Sequence, residues 1–474
     1  MLINPIHHLR YFEMNRAIET PADAAAIVDS DRAYVWHHLS QQKPMQEGAP
    51  MVIVEGEGLR VRDINGKEYL DAVSGGVWTV NVGYGRTSIA NAVRDQLEKM
   101  CYFANSAGNI PGAKFADQLI DKMPGLNRVY FSNSGSEANE KGFKLVRQLA
   151  AFKNDGKKHK IIYRDRDYHG TTITALSATG QIQRKDQYGP YTPGFVEFPH
   201  CMAYRAENGD DPDYGVQAAK ELERVILEEG PDTVGSVILE PITAGGGVIT
   251  PPEGYFETVQ EICTKYGVLI HMDEVVCGMG RTGKWFGYQH YNVKPDIVTM
   301  AKGVASGYAA ISCTVTTEDL FDEFLADPSD KMHFFRDIST FGGCAGGPAA
   351  ALENMRIIEQ ENLLDNVNKM GDYMMDKLHE LKDKHEMVGD VRGKGLFVGA
   401  ELVKDRVTKE PVDESVAAAV AADCLQQGVM IGRTNRSFHE FNNTLCLSPA
   451  LICTKDDIDQ IVGSIDNALA KISA

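Results

Sequence analysis

Two stretches decide the fold: VLIHM (Val268–Met272), which runs into Asp273-Glu274-Val275, and DIVTM (Asp296–Met300), which runs into Ala301-Lys302-Gly303. Each is a short, continuous apolar run, the pattern of a strand buried on both faces, and each ends in a charged residue. At the carboxyl end of a parallel strand, an acidic side chain stands where α/β sheets bind ligands. Capping a helix would also account for Asp273. A lysine at a buried strand end, flanked by alanine and glycine, does not fit a surface charge. Small neighbours admit a flat group, and burial drives an amine toward its neutral, nucleophilic form.

Outward from these, RVYFS (Arg128–Ser132), KIIY (Lys160–Tyr163) and GSVIL (Gly235–Leu239) repeat the buried-strand pattern. Helical stretches separate them. Glu137–Lys153 sets Ala138, Leu145, Leu149 and Phe152 on one face, and Gln217–Glu229 and Tyr255–Tyr266 are further helices. This alternation predicts an α/β fold with a mainly parallel sheet covered on both sides, in a large domain over residues 76–345. Upstream, MVIVE, LRVRD and KEYLDAV are joined by a turn at Glu55–Gly58 and by the hairpin signal Asn65-Gly66, predicting short strands. After Gly347 the pattern changes to a helix at Pro348–Glu361 and a strand at Gly395–Leu402. Residues 346–474 are expected to form a smaller domain, joined by the N-terminal segment 1–75.

FSNSGSEAN (Phe131–Asn139) reads as strand, small-residue turn and helix. Gly135 and Ser136 leave backbone amides free at a positive helix end, which suits a phosphate, although the same residues make ordinary N-caps. Gly278, Gly280 and Gly283 spell GxGxxG, but Lys284-Trp285-Phe286-Gly287 does not open a helix, so a plain glycine-rich loop is expected.

The balance of 48 basic and 66 acidic residues gives a net charge of −18. That disfavours nucleic acid and anionic membrane surfaces as partners. Nine scattered cysteines without a CxxC pair suggest free thiols in a reducing cytoplasm. The opening MLINPIHHLRYFEMNR lacks a signal-peptide core, and no run approaches the roughly 18–20 apolar residues of a membrane span. The chain is expected to be soluble and cytoplasmic. Adjacent side chains diverge, so the pairs His7/His8 and His37/His38 are read as surface or packing residues, and no metal is expected.

SGSEAN, Tyr168-His169-Gly170, Glu240-Pro241, DEVVCGMGRTG (Asp273–Gly283), Ala301-Lys302-Gly303 and Thr340-Phe341-Gly342, in this order, resemble the class III (omega) aminotransferases of pyridoxal-phosphate fold type I. The resemblance runs from about Val52 to the C-terminus. It implies a large domain with a mainly parallel seven-stranded sheet, a smaller α+β domain, and pyridoxal 5′-phosphate as cofactor. By the same resemblance, Lys302 carries the cofactor as a Schiff base and moves the proton at the substrate carbon, while Asp273 pairs with the ring nitrogen. Gly135 and Ser136 hold the phosphate, Tyr168 and Val275 enclose the ring, and Glu240 belongs to the cofactor site. Thr340 reaches the phosphate of a neighbouring subunit, which implies a homodimer with shared active sites.

Family members that use 2-oxoglutarate carry Phe-His-Gly-Arg-Thr and Glu-Pro-x-Gln-Gly-Glu-Gly. Here Thr171 stands in place of the arginine and Gly245 in place of the second glutamate, so the chain looks like the omega-amino acid:pyruvate group. That resemblance makes Arg433, or its neighbour Arg436, the candidate for binding an acid group. A planar guanidinium suits carboxylate and sulfonate alike, and a surface loop arginine is the alternative. Trp78, in SGGVWTVNVGYGR, falls at a substrate-pocket aromatic, with a core tryptophan as the alternative. With FPHCMAYR (Phe198–Arg205), this stretch looks most like the taurine:pyruvate group. Arg166, in the run RDRD, is either a sulfonate donor or a solvated charge. The implied reaction is taurine plus pyruvate to sulfoacetaldehyde plus L-alanine. β-Alanine or a diamine as donor stays open, as does an aminomutase or racemase.

Overall fold

The apolar runs lie side by side. In chain order the strands are β1 (Ile53–Glu57), β2 (Arg60–Asp63), β3 (Glu68–Asp71), β4 (Arg128–Ser132), β5 (Lys160–Arg164), β6 (Phe195–Phe198), β7 (Val234–Leu239) and β8 (Leu269–Asp273). They continue with β9 (Ile297–Met300), β10 (Ser312–Thr316), β11 (Val388–Gly393), β12 (Val398–Asp405), β13 (Glu410–Pro411), β14 (Val429–Met430), β15 (Gly432–Thr434) and β16 (Thr444–Leu447). A computed structural model, which describes residues 20–48, 50–434 and 442–473, joins seven of them in the order β4-β10-β9-β8-β7-β5-β6. β6, β5, β7, β8 and β9 pair in parallel, and β10 runs antiparallel to both β9 and β4. The sheet is mainly parallel, and Asp273 and Lys302 leave the same end of neighbouring strands.

β6 and β10 carry no apolar run of the expected kind. β10 reads SCTVT; one of its buried hydroxyls is matched internally, Thr314 Oγ1 donating to the Ala138 carbonyl at 2.8 Å. β6, FVEF, is a four-residue edge strand paired on one side only.

The helix Gly135–Lys153 starts at Ser134, whose hydroxyl accepts the Glu137 N–H at 3.2 Å. It buries Ala138 and Leu145, and Leu149 and Phe152 are half-buried against a cluster with Ile161 and Ile238. Gly142 lets this helix lie close to β8, since a Cβ there would sit 2.5 Å from His271 Cε1.

β1, β2 and β3 form the antiparallel meander expected of the Asn65-Gly66 turn, and β3 then pairs in parallel with β14. The N-terminal strands are thus built into the C-terminal part of the chain. A third sheet, β11-β12-β16-β15 with β13 on β12, completes that part. β12 begins at Val398 rather than Gly395. Gly395 has φ +57° in a turn closed by Lys394 N–H to Phe397 O at 3.0 Å, and a Cβ on it would lie 2.7 Å from the Thr282 carbonyl carbon.

That turn packs on the glycine-rich loop Gly278–Gly283, which opens no nucleotide-binding helix and instead wraps Arg281. The fully buried guanidinium donates to the carbonyls of Leu396 and Pro449, to Ser74 Oγ at 3.0 Å and to Asn81 Oδ1 at 2.8 Å. One side chain therefore ties the large sheet's loop to both ends of the chain.

Gly142→Ala should destabilise the fold by about 1–3 kcal/mol, because helix or sheet must shift to admit the methyl group. A drop in the thermal midpoint of the purified protein checks this.

Candidate active site

The carboxyl ends of β7, β8 and β9, with the start of the helix Gly135–Lys153, enclose a cavity of about 480 Å³. Lys302, Asp273, Gly135 and Ser136 line it, joined by Tyr168, Glu240, Val275 and Trp78. These candidates are far apart in sequence, and the sheet brings them to one place.

Asp273 is 3% exposed. Its Oδ2 accepts from His169 Nδ1 at 2.8 Å and from Asn139 Nδ2 at 2.8 Å, and its Oδ1 accepts the Val275 N–H at 3.0 Å. Burial alone would raise this carboxyl, but the bonds from His169, Asn139 and Val275 outweigh it and hold it below its ordinary value. Asp273 caps no helix, since turns follow it. Burial pushes the Lys302 amine down, Asp273 and Glu240 oppose that, and Arg184 adds to it. Lys302 has φ +40°, an uncommon backbone for a side chain with a Cβ, and its Nζ lies 5.4 Å from the Trp78 ring centroid.

Of the small residues beside Lys302, Ala301 lines the cavity. Gly303 does not; it faces Asn81, where a Cβ would lie 2.4 Å from Nδ2, so its smallness serves packing. Glu240 accepts the N–H groups of Tyr168 at 2.9 Å and Ala244 at 3.1 Å. Burial, with Asp167 and Asp273 nearby, pushes its carboxyl well up.

Three predicted residues lie elsewhere. Thr340 is exposed, outside this cavity. Arg166 is 2% exposed, not solvated, and lies behind the cavity wall with Nη1 3.1 Å from Met202 Sδ. Arg433 points away: Thr434, next along β15, donates to the Gly245 carbonyl at 2.6 Å, so alternation turns Arg433 toward Glu414, at 3.4 Å. Arg436 and the pair His7/His8 lie outside the described residues. His37 bonds Asp31 at 2.8 Å, and His38 reaches the cavity mouth with Leu39. Among the described residues no group of His, Cys, Asp and Glu is placed to hold a metal ion.

Sequence reasoning missed Arg184, Asn139 and the bond from His169. Asn139 follows Ser136 by one helical turn, a spacing that puts both on one face. Arg184 sits in a four-residue helical turn with no motif around it. Its guanidinium carbon is 5.0 Å from the Tyr168 ring centroid, and its buried Nε has no hydrogen-bond partner among the described residues. Burial lowers its pKa, opposed by Tyr168 alone.

Pyridoxal phosphate fits this set of residues. The Gly135 and Ser136 amides, first in their helix, have no carbonyl a turn earlier to bond. The cradle around them is sized for glycine, since a Cβ on Gly170 would lie 2.4 Å from Ser136 Oγ and one on Gly135 3.0 Å from Val275 Cγ2. Asp273 Oδ1 keeps a lone pair for a ring N–H, and Lys302 offers an amine with a depressed pKa.

A family model described as aminotransferase class-III matches residues 42–469. The chain is 65% identical over 454 residues to a hypotaurine/taurine–pyruvate aminotransferase of Paracoccus denitrificans, covering 96% of this chain and 99% of the relative. It is 63% identical over 450 residues to a taurine–pyruvate aminotransferase of Bilophila wadsworthia, covering 95% of this chain and 98% of the relative. The crystal structure of a Bacillus anthracis aminotransferase superposes with a TM-score of 0.91 at 40% identity, over 95% of this chain and 99% of that one. Fold, cavity and these likenesses agree: the chain belongs to the class-III aminotransferases, enzymes that use pyridoxal 5′-phosphate.

Proposed function

We propose that this enzyme transfers the amino group of taurine to pyruvate, giving sulfoacetaldehyde and L-alanine. Both relatives described above are named for taurine and pyruvate. The observation in this chain that carries the reading is Arg184, a permanently charged fork in the cavity wall with no carboxylate beside it among the described residues. A sulfonate or carboxylate on the substrate supplies the missing charge. Among the described residues the cavity carries no second arginine for a dicarboxylate, position 171 being threonine, and a side chain at Gly245 would meet Gln181 Nε2 at 2.6 Å, so a monocarboxylate acceptor fits.

Bound in the cavity, pyridoxal phosphate supplies an electron sink for the pair released when a C–H bond breaks. Gly135 and Ser136 would hold its phosphate, Tyr168 and Val275 would enclose its ring, and Glu240 would fix the Tyr168 backbone through its N–H. Asp273, kept ionised, holds a proton at the ring nitrogen. Lys302 would anchor the cofactor and would serve as the base for the proton on the amine-bearing carbon of taurine. In the second half it returns a proton to C2 of pyruvate, and one face of addition gives L-alanine. Trp78 covers the substrate side of Lys302. Arg184 takes the acid-binding role expected of Arg433 or Arg436. Water enters as the aldehyde leaves and departs as pyruvate is aminated.

We further propose a homodimer in the cytoplasm. Thr340 lies beside Ile338 and Phe341, which are 78% and 67% exposed, and Gly343, in the same turn, packs against the Phe103 backbone. A second copy covering this apolar face would take Thr340 to its neighbour's phosphate. All nine cysteines are free thiols, and no helix among the described residues is long and apolar enough to cross a membrane.

Lys302→Ala should abolish the visible absorbance of the cofactor-loaded protein and lower kcat by at least about 1,000-fold. An amine-donor panel with pyruvate should rank taurine above β-alanine and diamines, with alanine formed only when a donor is added. A 2-oxoglutarate rate above the pyruvate rate would overturn the acceptor assignment. Arg184→Gln should raise KM for taurine roughly 100-fold and leave turnover of its neutral methyl sulfone analogue unchanged. Sedimentation should give a dimer, and Thr340→Val should weaken cofactor retention without splitting it.

A further inference from the structure

We propose that Asn139 is a positioning residue that locks the Asp273 carboxylate in its ionised, ring-facing pose, with its own amide oriented by Thr299. The inference rests on the role given above to Asp273.

Asn139 is 1% exposed on the helix Gly135–Lys153. Its Nδ2 uses both hydrogens, one on Asp273 Oδ2 at 2.8 Å and one on the His169 carbonyl at 2.7 Å. Its Oδ1 accepts from Thr299 Oγ1 at 2.6 Å. A threonine hydroxyl has one hydrogen, so with that spent on Asn139 its oxygen is an acceptor for His271 Nε2, 3.1 Å away. Burial pushes His271 down to about 3, with His169 adding to the shift, so the imidazole is neutral and its proton sits on Nε2. The donors therefore all point one way, from His271 through Thr299 and Asn139 to Asp273.

This direction matters because an amide has two faces. Turned over, Asn139 would aim its oxygen at a carboxylate and at a carbonyl; Thr299 secures the other orientation. Three elements meet in the arrangement: β8 through His271 and Asp273, β9 through Thr299, and the phosphate-binding helix through Asn139 itself. The titratable groups that face Asp273 are His169, His271, Lys302, Glu240, Glu274, Tyr168 and Cys277. Of these His169 bonds the same oxygen as Asn139, so Oδ2 is filled by two donors and Oδ1 is the atom left to meet the ring nitrogen. A purely structural Asn139 would tie the helix to the His169 loop and leave Asp273 indifferent to its replacement.

The test uses holoenzyme loaded with cofactor isotopically labelled at the ring nitrogen, whose NMR resonance reports protonation. Asn139→Leu keeps the bulk but removes the donor without adding a charge. It should move the resonance toward the unprotonated position as pH rises and lower kcat about 100-fold, with KM for taurine changing far less. Thr299→Val should lower kcat about tenfold, and Thr299→Ser should restore it. The Thr299 pair carries the test by itself if Asn139→Leu does not fold. A wild-type resonance and kcat in N139L would overturn the inference. So would a loss of kcat at unchanged resonance and unchanged cofactor affinity of the apoenzyme, the mark of a structural tie. An unprotonated ring nitrogen already in the wild type would instead remove the role given to Asp273.

Discussion

A negative charge buried at the end of β8 organises what surrounds it. An unpaired carboxylate in the interior is costly, so Asp273 must find donors, and each donor fixes another element. His169 brings the loop after β5, Asn139 brings the helix Gly135–Lys153, and Val275 turns the chain back on itself. Lys302 arrives from β9, the neighbouring strand, in register with β8. The parallel sheet matters here because it delivers these strand ends to one side. An antiparallel neighbour would send every second end away.

The cavity's charges are unequal in kind. Asp273 is held ionised, whereas Glu240 is pushed up by burial and by its acidic neighbours, so the two do not act as a pair of full negative charges. Lys302 can lose its proton, and burial drives it that way. Arg184 has no such freedom: its guanidinium stays charged, and stacking on Tyr168 offsets only part of the loss of water. Among its described residues the cavity therefore keeps one fixed positive charge, at Arg184.

Much of this was legible in the sequence because burial on both faces leaves an unbroken apolar run. β4, β5, β7, β8 and β9 were found that way, and the residues that end them were placed with them. β10 was hidden because SCTVT breaks its apolar run with buried hydroxyls, one of which, Thr314, bonds to a helix carbonyl, a match made in three dimensions. The glycine-rich loop looked like a nucleotide fingerprint, yet its glycines free the backbone to wrap Arg281. Gly303 was assigned the right size for the wrong reason, since its neighbour is Asn81 and not the cavity. Asn139 was in view within SGSEAN, but its partners Asp273 and Thr299 come from strands far along the chain.

The substrate end was the least legible, and strand alternation explains why. Resemblance places an arginine near the right position in the chain, but a side chain's direction depends on register. β15 pairs with β16 so that Thr434 faces Gly245, and the intervening residue, Arg433, must face the helix Glu414–Gln426. A slip of one residue would exchange the two and strand Thr434 among different partners. Arg433 also has a carboxylate at hand in Glu414, so nothing electrostatic draws it to the cavity. Arg184 has the opposite standing: no motif marks it, yet it lines the cavity with a buried Nε that no described residue answers, and a buried N–H left without a partner is costly.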